Sequence, residues 1–274
     1  MSDILKTLSD AMAETAERTG QSIVQVNARR RLPATGIIWS ADGVIVTSHH
    51  VVETEDRIQI GLPGGQVVEG TLVGRDPSTD VAVIRTNANG LTVPAWAEAS
   101  EVRVGHLALA LGRPGDSVQA TLGVVSAFSH SADEHKYFAQ TDVVMYPGFS
   151  GGPLVSVTGE FIGINTSGLM RGASLTIQTP TLRHVADSLL KHGRMRRGYL
   201  GVGVQPAKLP PALAEQLGQK TGVLVMSVEP DSPAERGGLF MGDTILAVDG
   251  QRIESGEDLV SSLSGGRIGQ TVMD

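Results

Sequence analysis

The spacing of the hydrophobic residues changes character after the first twenty positions. Between residues 3 and 19, apolar side chains recur every three or four positions among charged ones, which predicts one amphipathic helix that ends at Gly20. Beyond Gly20 the apolar runs are short, rich in Val and Ile, and separated by turn-forming Gly, Pro and Asp residues. Short runs at even spacing predict the strands of an all-β barrel or sandwich.

The strand-length runs continue to about residue 178, and a helix closes this part of the chain after Pro180. The predicted elements are strands at Ser22–Val26, Thr35–Trp39, Val44–Thr47, Arg57–Leu62, Val67–Gly74, Val81–Arg85, Leu107–Leu111, Gly123–Ser126, Phe138–Thr141, Leu154–Ser156, Phe161–Ser167 and Leu175–Gln178, and a helix at about Thr181–His192.

A second domain is predicted after a polar stretch, His192–Gly198, that is bounded by glycines and has the composition of a linker. The runs beyond it alternate between strand and helix patterns: Leu200–Val204, Pro211–Leu217, Gly222–Val228, Pro233–Gly237, Thr244–Val248 and Glu257–Leu263. We therefore predict a first domain over residues 1–193 and a second domain of α+β type over residues 198–274.

Composition and charge narrow the class of function. The chain has 274 residues and a formal net charge of −7, and its one basic cluster, Arg29–Arg31, is short, so no nucleic-acid partner is expected. The absence of cysteine excludes disulfides, thiolate zinc sites and a cysteine nucleophile. The sequence contains no metal-binding cluster and no phosphate-binding loop, so we expect neither a metal nor a cofactor.

The N-terminus bears on the compartment. The first twenty residues contain acids and lack the apolar core of a signal peptide. No run approaches the roughly 18 to 20 apolar residues that a membrane span needs. If Met1 is the native start, the expected location is the cytoplasm; an address that preceded it could not be read from this sequence.

A glycine-rich turn offers a candidate nucleophile. Within Pro147–Leu154, Ser150 is flanked by Gly148, Gly151 and Gly152. A catalytic serine needs an exposed hydroxyl on a tight turn, with backbone N–H groups beside it for the developing oxyanion, and glycines permit both. The alternative is a plain glycine-rich hairpin turn.

A serine nucleophile also needs a base and a carboxylate that orients the base. His49 and His50 directly follow the apolar run Gly43–Ser48, which places an imidazole at the end of a strand, but the pattern does not choose between them. Asp80 begins another apolar strand, where a partly buried carboxylate would need a partner. Asp76, which precedes a proline, is better explained as a turn cap.

Three segments resemble motifs of the HtrA (Deg) family of serine proteases: Thr47–Val51, Asp76–Val83 and Gln140–Leu154. The first resembles the family's T-N-x-H-V motif and selects His50 over His49. The second selects Asp80, and the third selects Ser150. The order His, Asp, Ser along the chain is also that of the trypsin-type proteases.

This resemblance implies a fold and a mechanism. The fold would be mainly β, with a double six-stranded β-barrel of trypsin type followed by a PDZ domain. The activity would be ATP-independent hydrolysis of peptide bonds in unfolded or misfolded proteins. Ser150 would attack the peptide carbonyl, His50 would carry the proton, and Asp80 would orient the imidazole. The backbone N–H groups of Gly148 and Ser150 would form the oxyanion hole.

The resemblance also implies a specificity pocket. In trypsin-like proteases the pocket is lined by the strand that follows the nucleophile, here Phe161–Ser167. Its candidate pocket residues are Ile162, Gly163 and Ile164, and the strand has no acid to receive Lys or Arg. We therefore expect cleavage after small or medium apolar residues. Alternatively the two isoleucines are core residues, and they could be both.

The second domain is similar to the PDZ domain of the same family. Arg197–Val202 resembles its carboxylate-binding loop, which makes Tyr199, Leu200, Gly201 and Val202 the candidate peptide-binding residues. In such a loop successive N–H groups capture a peptide C-terminus, and the peptide adds to the sheet edge as a strand. Peptide binding would then regulate the protease. The chain stops before a full final strand, so that strand is expected to be missing or incomplete.

Several positions depart from the family's pattern. The family usually has asparagine where this chain has His49, Tyr146 and Phe149. The two aromatic rings, beside the oxyanion turn, could narrow substrate entry or hold the turn inactive. Family members commonly form trimers through N-terminal aromatic contacts, but no Phe or Tyr precedes Trp39 here. They are usually periplasmic or otherwise extracytoplasmic.

Two other functions remain alternatives. A catalytically silent or latent PDZ-containing chaperone or adaptor would result if the oxyanion hole were misformed, although all three triad residues are present. A lipase or esterase of α/β type would place its serine between a strand and a helix, with the acid and then the histidine later in the sequence. The order of the three motifs here argues against that class.

Overall fold

The computed structural model of the chain describes residues 2–131, 136–170, 172, 174–195 and 199–263. The chain divides into two compact units between Met195 and Arg196, and each unit is considered by itself below. The boundaries predicted at 193 and 198 stay predictions. Gly198 and the predicted final strand of the second domain lie outside the described residues.

The first unit begins with a helix and a six-stranded barrel. Its elements are α1 (Ser2–Thr19), β1 (Ile23–Asn27), β2 (Ala34–Ser40), β3 (Val44–Ser48), β4 (Ile58–Gly61), β5 (Val67–Asp76) and β6 (Val81–Thr86). Antiparallel pairing in the order β1-β2-β3-β6-β5-β4 closes through β1 and β4, so the barrel leaves no open strand edge. Buried Val and Ile side chains, such as Ile38, Ile45 and Ile60, fill its interior.

A second six-stranded barrel and a helix complete this unit. They are β7 (Leu107–Gly112), β8 (Gln119–Ser131), β9 (Lys136–Thr141), β10 (Pro153–Ser156), β11 (Phe161–Thr166), β12 (Ser174–Gln178) and α2 (Thr179–His192). The strand order β10-β11-β12-β9-β8-β7 closes through β10 and β7. Helix α2 carries Pro180 in its first turn and ends at Gly193, whose left-handed backbone caps it.

A hydrophobic core shared by the two barrels fixes their relative position. Ile37 and Val46 of the first barrel and Leu111 and Ile164 of the second belong to one buried cluster, which Leu189 of α2 joins. Full burial of such a side chain contributes about 1.5–3 kcal/mol. Residues at facing ends of the two barrels are therefore held in place by packing on both sides.

The second unit is a small α+β domain. Its elements are β13 (Val202–Lys208), α3 (Pro211–Leu217), β14 (Thr221–Val228), α4 (Pro233–Gly237), β15 (Thr244–Ile245), β16 (Ala247–Val248), β17 (Gln251–Arg252) and α5 (Gly256–Ser262). The strands form a sheet in the order β13-β14-β15 and a separate β16-β17 pair. Val223, Ile245 and Leu259 lie in its core.

The predicted fold class is confirmed: the chain is mainly β, with two closed six-stranded barrels followed by an α+β domain. Differences lie at strand ends. β8 begins four residues before the predicted start at Gly123, because its first residues pair with β7 through their backbones and need no apolar pattern. β13 begins at Val202, and the strand predicted from Thr244 to Val248 is two short strands that belong to different sheets.

Candidate active site

Two neighbouring strands of the first barrel bring His50 and Asp80 together. β3 is buried along its whole length, and one turn of 3-10 helix, His49–Val51, follows it. β6 begins directly after Asp80 and pairs with β3 so that Val81 lies opposite Ser48. The end of one strand and the start of its neighbour therefore lie side by side.

Asp80 holds the turn after β3 through both its backbone and its carboxylate. It has a left-handed backbone, with φ of +57°, a conformation that Asp tolerates better than most residues. Its carbonyl accepts the N–H of His49 at 2.9 Å, and its Oδ1 accepts the N–H of His50 at 2.8 Å. Its Oδ2 lies 2.7 Å from His50 Nδ1 and also accepts the hydroxyl of Thr166. The carboxylate thus fixes the position and the ring orientation of His50.

The pKa of Asp80 reflects two opposed effects. Burial raises the pKa of this carboxyl, while hydrogen bonds from His50 and Thr166 lower it, and the net result lies below the ordinary value of 3.8. Hydrogen bonds to an ionised carboxylate favour the charged form. Asp80 is therefore an ionised, nearly buried acceptor at neutral pH.

His49 is placed differently from its neighbour. Its backbone N–H donates to Asp80, but the Nδ1 atom of its ring is buried without a hydrogen-bond partner. Burial also lowers the pKa of His49. His50 is the neighbour whose imidazole faces the Asp80 carboxylate, and its role as the base stays a prediction.

Ser150 lies in a tight turn that leads into β10. Gly148 and Gly151 on either side have φ of +96° and +86°, which only glycine adopts readily. A Cβ at Gly151 would lie 2.0 Å from the carbonyl oxygen of Thr35, so the turn packs too closely for any other residue. The serine is 8% exposed, and its hydroxyl lies 3.0 Å from that of Ser167. Among the described residues, no hydrogen bond joins Ser150 to His50.

A three-residue segment at the end of β11, residues 166–168, touches all three candidate triad residues. Its threonine donates a hydrogen bond to Asp80, and its serine hydroxyl lies 3.0 Å from Ser150 Oγ. Its glycine approaches the base so closely that a Cβ there would lie 2.7 Å from His50 Nδ1. One short segment of the second barrel therefore borders a serine hydroxyl, an imidazole and a carboxylate.

The backbone at residues 148–150 leaves two donors available. Among the described residues, the N–H groups of Gly148 and Ser150 donate to no other atom. The carbonyl of Gly148 accepts the hydroxyl of Thr35 at 2.6 Å, and the N–H of Phe149 donates to the carbonyl of Tyr146 at 3.0 Å. The turn can therefore offer two N–H groups to a developing oxyanion.

The two aromatic residues of this turn differ in position. Phe149 is fully buried in the core of the second barrel, so its ring does not narrow an entrance. Tyr146 is 54% exposed and meets Phe149 edge to face, with ring centroids 5.9 Å apart. The replacement of asparagine at these positions therefore adds one core anchor and one exposed ring.

The candidate pocket residues lie in β11. Ile162 and Ile164 are 3% and 0% exposed and belong to two different core clusters. A Cβ at Gly163 would lie 2.1 Å from the carbonyl oxygen of Ile177, so glycine is required for the pairing with β12. The side chains are thus core residues, as the alternative interpretation states, and their role in a pocket stays a prediction.

The candidate peptide-binding residues of the second unit form a loop and a strand start. Tyr199 is 60% exposed, and its hydroxyl donates a hydrogen bond to Glu229. This hydrogen bond raises the pKa of Tyr199. The carbonyl of Leu200 accepts the N–H of Ala234 at 2.9 Å. Gly201 has φ of +82°, and Val202 begins β13.

β13 lies at the edge of its sheet as far as the described residues extend. Among the described residues its strand partner is β14, at one edge of the sheet, and α5 lies beside it: a Cβ at Gly256 would lie 3.6 Å from Val204 Cγ2. An open strand edge beside a helix is a place where a peptide can add to a sheet.

Thr166 contacts Asp80 and Ser167 contacts Ser150, and neither residue was predicted from the sequence as part of the site. The available signal was weak: Asn165 and Thr166 are polar residues inside an otherwise apolar strand, and buried polar groups need partners. Which partners they meet depends on how the two barrels dock, and the pattern along the chain does not contain that information.

Both parts of the chain match known protein families. A family profile described as a trypsin-like peptidase domain matches residues 34–164, and one described as a PDZ domain matches residues 198–273. Fold and site therefore define a trypsin-like serine protease with a PDZ domain. A solved structure described as HtrA-type protease AlgW with tripeptide shares 34% identity and a TM-score of 0.75, covering 95% of this chain and 90% of that one. The chain belongs to the HtrA family.

Other relatives support the same assignment. AlgW with decapeptide is 31% identical with a TM-score of 0.75, and the match covers 94% of this chain and 92% of that structure. A protein of Halomonas elongata, described as a probable periplasmic serine endoprotease that is DegP-like, is 39% identical over 238 residues. That match covers 84% of this chain and 50% of the relative. The chain spans about half the length of the curated relatives it matches.

Proposed function

We propose that the protein is an ATP-independent serine endopeptidase in which Ser150, His50 and Asp80 form the catalytic triad. The observation that carries this proposal is the 166–168 segment, which contacts each of the three residues. Two further points support the proposal: the order His, Asp, Ser along the chain, and the chain's membership of the HtrA family.

The proposed reaction begins with a rotation. Ser150 Oγ bonds to Ser167 in this structure, and the proposal requires it to turn about the Cα–Cβ bond to another staggered rotamer and bond to His50 Nε2. Such hydrogen bonds are often long or misaligned until substrate binds. His50 then accepts the hydroxyl proton as Ser150 attacks the peptide carbonyl, and later gives that proton to the leaving amine.

Asp80 and the backbone stabilise the charges that develop. The ionised Asp80 offsets the positive charge on the His50 imidazolium and keeps Nδ1 as its donor. The N–H groups of Gly148 and Ser150 would bind the oxyanion of the tetrahedral intermediate. Water then hydrolyses the acyl-enzyme by the same steps. One oxyanion donor is worth about 10²–10³ in kcat in well-studied serine proteases.

Substrates are proposed to be unfolded or misfolded chains, cleaved after small or medium apolar residues. A cleft between two barrels can bind an extended substrate segment along the backbone of that segment. The apolar character of β11 favours an apolar residue before the scissile bond, since β11 carries no acid to pair with Lys or Arg.

The PDZ domain is proposed to regulate the protease by binding peptide C-termini. The edge position of β13 in the described part of the sheet supports this role, because a peptide could pair with that edge while loop N–H groups near Gly201 hold its carboxylate. The bound AlgW structures carry a tripeptide or a decapeptide according to their descriptions.

For the compartment and the assembly, the relatives provide the argument. The Halomonas relative is described as periplasmic, which favours an extracytoplasmic site over the cytoplasm. No helix in the described parts of the chain is long and apolar enough to cross a membrane. A trimer, expected from the family, would need contacts other than N-terminal Phe or Tyr. Fractionation of the host and light scattering of the purified chain test these two points.

Casein degradation by the wild type and by Ser150→Ala tests the proposed activity. The wild type should degrade casein without ATP, Ser150→Ala should not, and fragments should end mainly in Val, Ala or Leu. Fragments that end mainly in Lys or Arg would refute the pocket assignment. Equal persistence of casein with both proteins would favour the second candidate, a silent chaperone or adaptor.

A further inference from the structure

Thr35 occupies a position that neither the triad nor the oxyanion donors explain. It lies in β2 of the first barrel and is 0% exposed. Its hydroxyl donates to the carbonyl of Gly148 at 2.6 Å, and its backbone N–H donates to the carbonyl of Ser150 at 3.2 Å. One residue thus binds both ends of the turn that carries the nucleophile.

Thr35 is itself held from two sides. Its hydroxyl accepts the backbone N–H of Arg113, which directly follows β7, at 2.8 Å. Its carbonyl accepts the hydroxyl of Thr47 on the neighbouring strand β3 at 2.7 Å. A hydroxyl that accepts from a fixed backbone N–H has its own proton directed away from that donor, here toward Gly148. The position of this hydrogen bond is therefore set by two rigid strands.

The contact matters because the turn has little stiffness of its own. Gly148 has no Cβ to restrict its backbone, and the peptide between Gly148 and Phe149 lies between the two N–H groups that would bind the oxyanion. If its carbonyl lost the donor from Thr35, a buried acceptor would be left without that partner, and such groups seek new ones. Rotation of this peptide would displace the neighbouring N–H groups.

We propose that Thr35 is a positioning residue that locks the 148–150 turn in the conformation that forms the oxyanion hole. This inference rests on the proposed function and deepens it. Thr35 touches neither the scissile bond nor the triad side chains; it acts through the carbonyl of Gly148. Its effect is therefore expected on kcat rather than on KM, since the oxyanion forms only after substrate binds.

Three variants test the proposal. Thr35→Val keeps the shape of the side chain and removes the hydroxyl, and Thr35→Ser keeps the hydroxyl. Thr86→Val is the matched control, because Thr86 is also buried in the first barrel and its hydroxyl also bonds backbone groups, those of Gly43 and Ala88. We expect Thr35→Val to lower kcat about tenfold to a hundredfold with KM little changed, and Thr35→Ser and Thr86→Val to keep most of the activity.

Crystal structures of the wild type and Thr35→Val provide a readout that does not need activity. We expect the Gly148 carbonyl to bond to Thr35 in the wild type and to point elsewhere in the variant.

If the wild type neither cleaves casein nor reacts with a fluorophosphonate, the proposed function fails, and the carbonyl orientation still decides the role of Thr35. If Thr35→Val does not fold, Thr35→Ala removes the same hydroxyl with less crowding. An unchanged kcat, an unchanged carbonyl, or a Thr35→Ser variant no better than Thr35→Val would overturn the inference.

Discussion

The Asp80 carboxylate contacts His50 at two points. Its Oδ1 accepts the backbone N–H of His50 at 2.8 Å, and its Oδ2 lies 2.7 Å from Nδ1 of the His50 imidazole. A single carboxylate therefore fixes both the backbone position of His50 and the orientation of its imidazole. Among the described residues, no hydrogen bond involves the other ring nitrogen, Nε2. This relationship makes the base of the proposed triad a rigid part of the first barrel.

Replacing this carboxylate tests its role directly. We expect Asp80→Asn to lower kcat by a factor on the order of 10⁴, since an amide favours the wrong tautomer of the imidazole and cannot stabilise the imidazolium. Hydrolysis of a peptide substrate measures the effect. Asp76→Asn is the control, because Asp76 is equally buried and its carboxylate accepts hydrogen bonds from Ser78 and Thr79. An Asp80→Asn enzyme as fast as Asp76→Asn would refute the assignment.

Stability should depend on pH through Asp80. Its pKa is lower in the folded chain than the ordinary value of 3.8, so the unfolded chain binds the proton more readily. The contribution of the ionised group is thus complete above the ordinary pKa and is lost as pH falls through the lower, folded pKa. The difference in unfolding free energy between wild type and Asp80→Asn should shrink from pH 6 to pH 3.

Tryptophan fluorescence in urea measures this difference for the first unit alone, because Trp39 and Trp96 are the two tryptophans of the sequence and both lie there. A stability advantage of the wild type that grows toward pH 3 would contradict the predicted sign.

Gly168 offers a way to disturb the His50–Asp80 pair without removing either group. A Cβ there would lie 2.7 Å from His50 Nδ1 and 3.1 Å from Asp80 Oδ2, so Gly168→Ala must displace the imidazole or the segment. We expect kcat to fall about a hundredfold, the cost of a misplacement near 1 Å. Gly115→Ala is the control, since a Cβ at Gly115 meets nothing within 4 Å. Equal kcat values for the two variants would show that the imidazole position is not critical.

The peptide-binding role of the second unit predicts a different loss. A Cβ at Gly201 would lie 2.2 Å from Cβ of Ser232, and φ there is +82°, so Gly201→Ala must distort the loop before β13. We expect it to weaken binding of a fluorescent peptide with a free apolar C-terminus at least tenfold, about 1.4 kcal/mol. Fluorescence anisotropy measures the dissociation constant.

Two controls sharpen this result. Gly237→Ala, in α4 of the same unit, should bind as the wild type does, because a Cβ at Gly237 meets nothing within 4 Å. A peptide with an amidated C-terminus should bind neither protein well. Equal affinity for the free and amidated peptides would argue against carboxylate capture.

The sequence predicted the fold well because its elements are local. Val44–Ser48 and Val81–Thr86 are apolar runs of strand length, so the strands next to His50 and Asp80 could be located from the spacing of apolar residues. The glycines around Ser150 likewise marked its turn. The hydrophobic pattern alone did not distinguish His49 from His50. The two side chains point in different directions because they lie in a single 3-10 turn, which is too short to produce a hydrophobic periodicity.

Contacts between the barrels could not be predicted. Thr166 meets Asp80 although they are 86 positions apart in the chain, and Thr35 meets Gly148 across 113 positions. Such pairs depend on the register of twelve strands and on how two closed barrels dock. A threonine inside an apolar strand pattern indicates that its hydroxyl needs a hydrogen-bond partner, but the pattern does not indicate which residue is the partner.

The most direct measurement is the location of a fluorophosphonate adduct by tandem mass spectrometry, in wild type and in His50→Ala. A nucleophilic serine activated by His50 should carry the adduct at Ser150 in the wild type, and His50→Ala should label slowly or not at all. An adduct on another residue, or equal labelling rates for both proteins, would contradict the proposed triad.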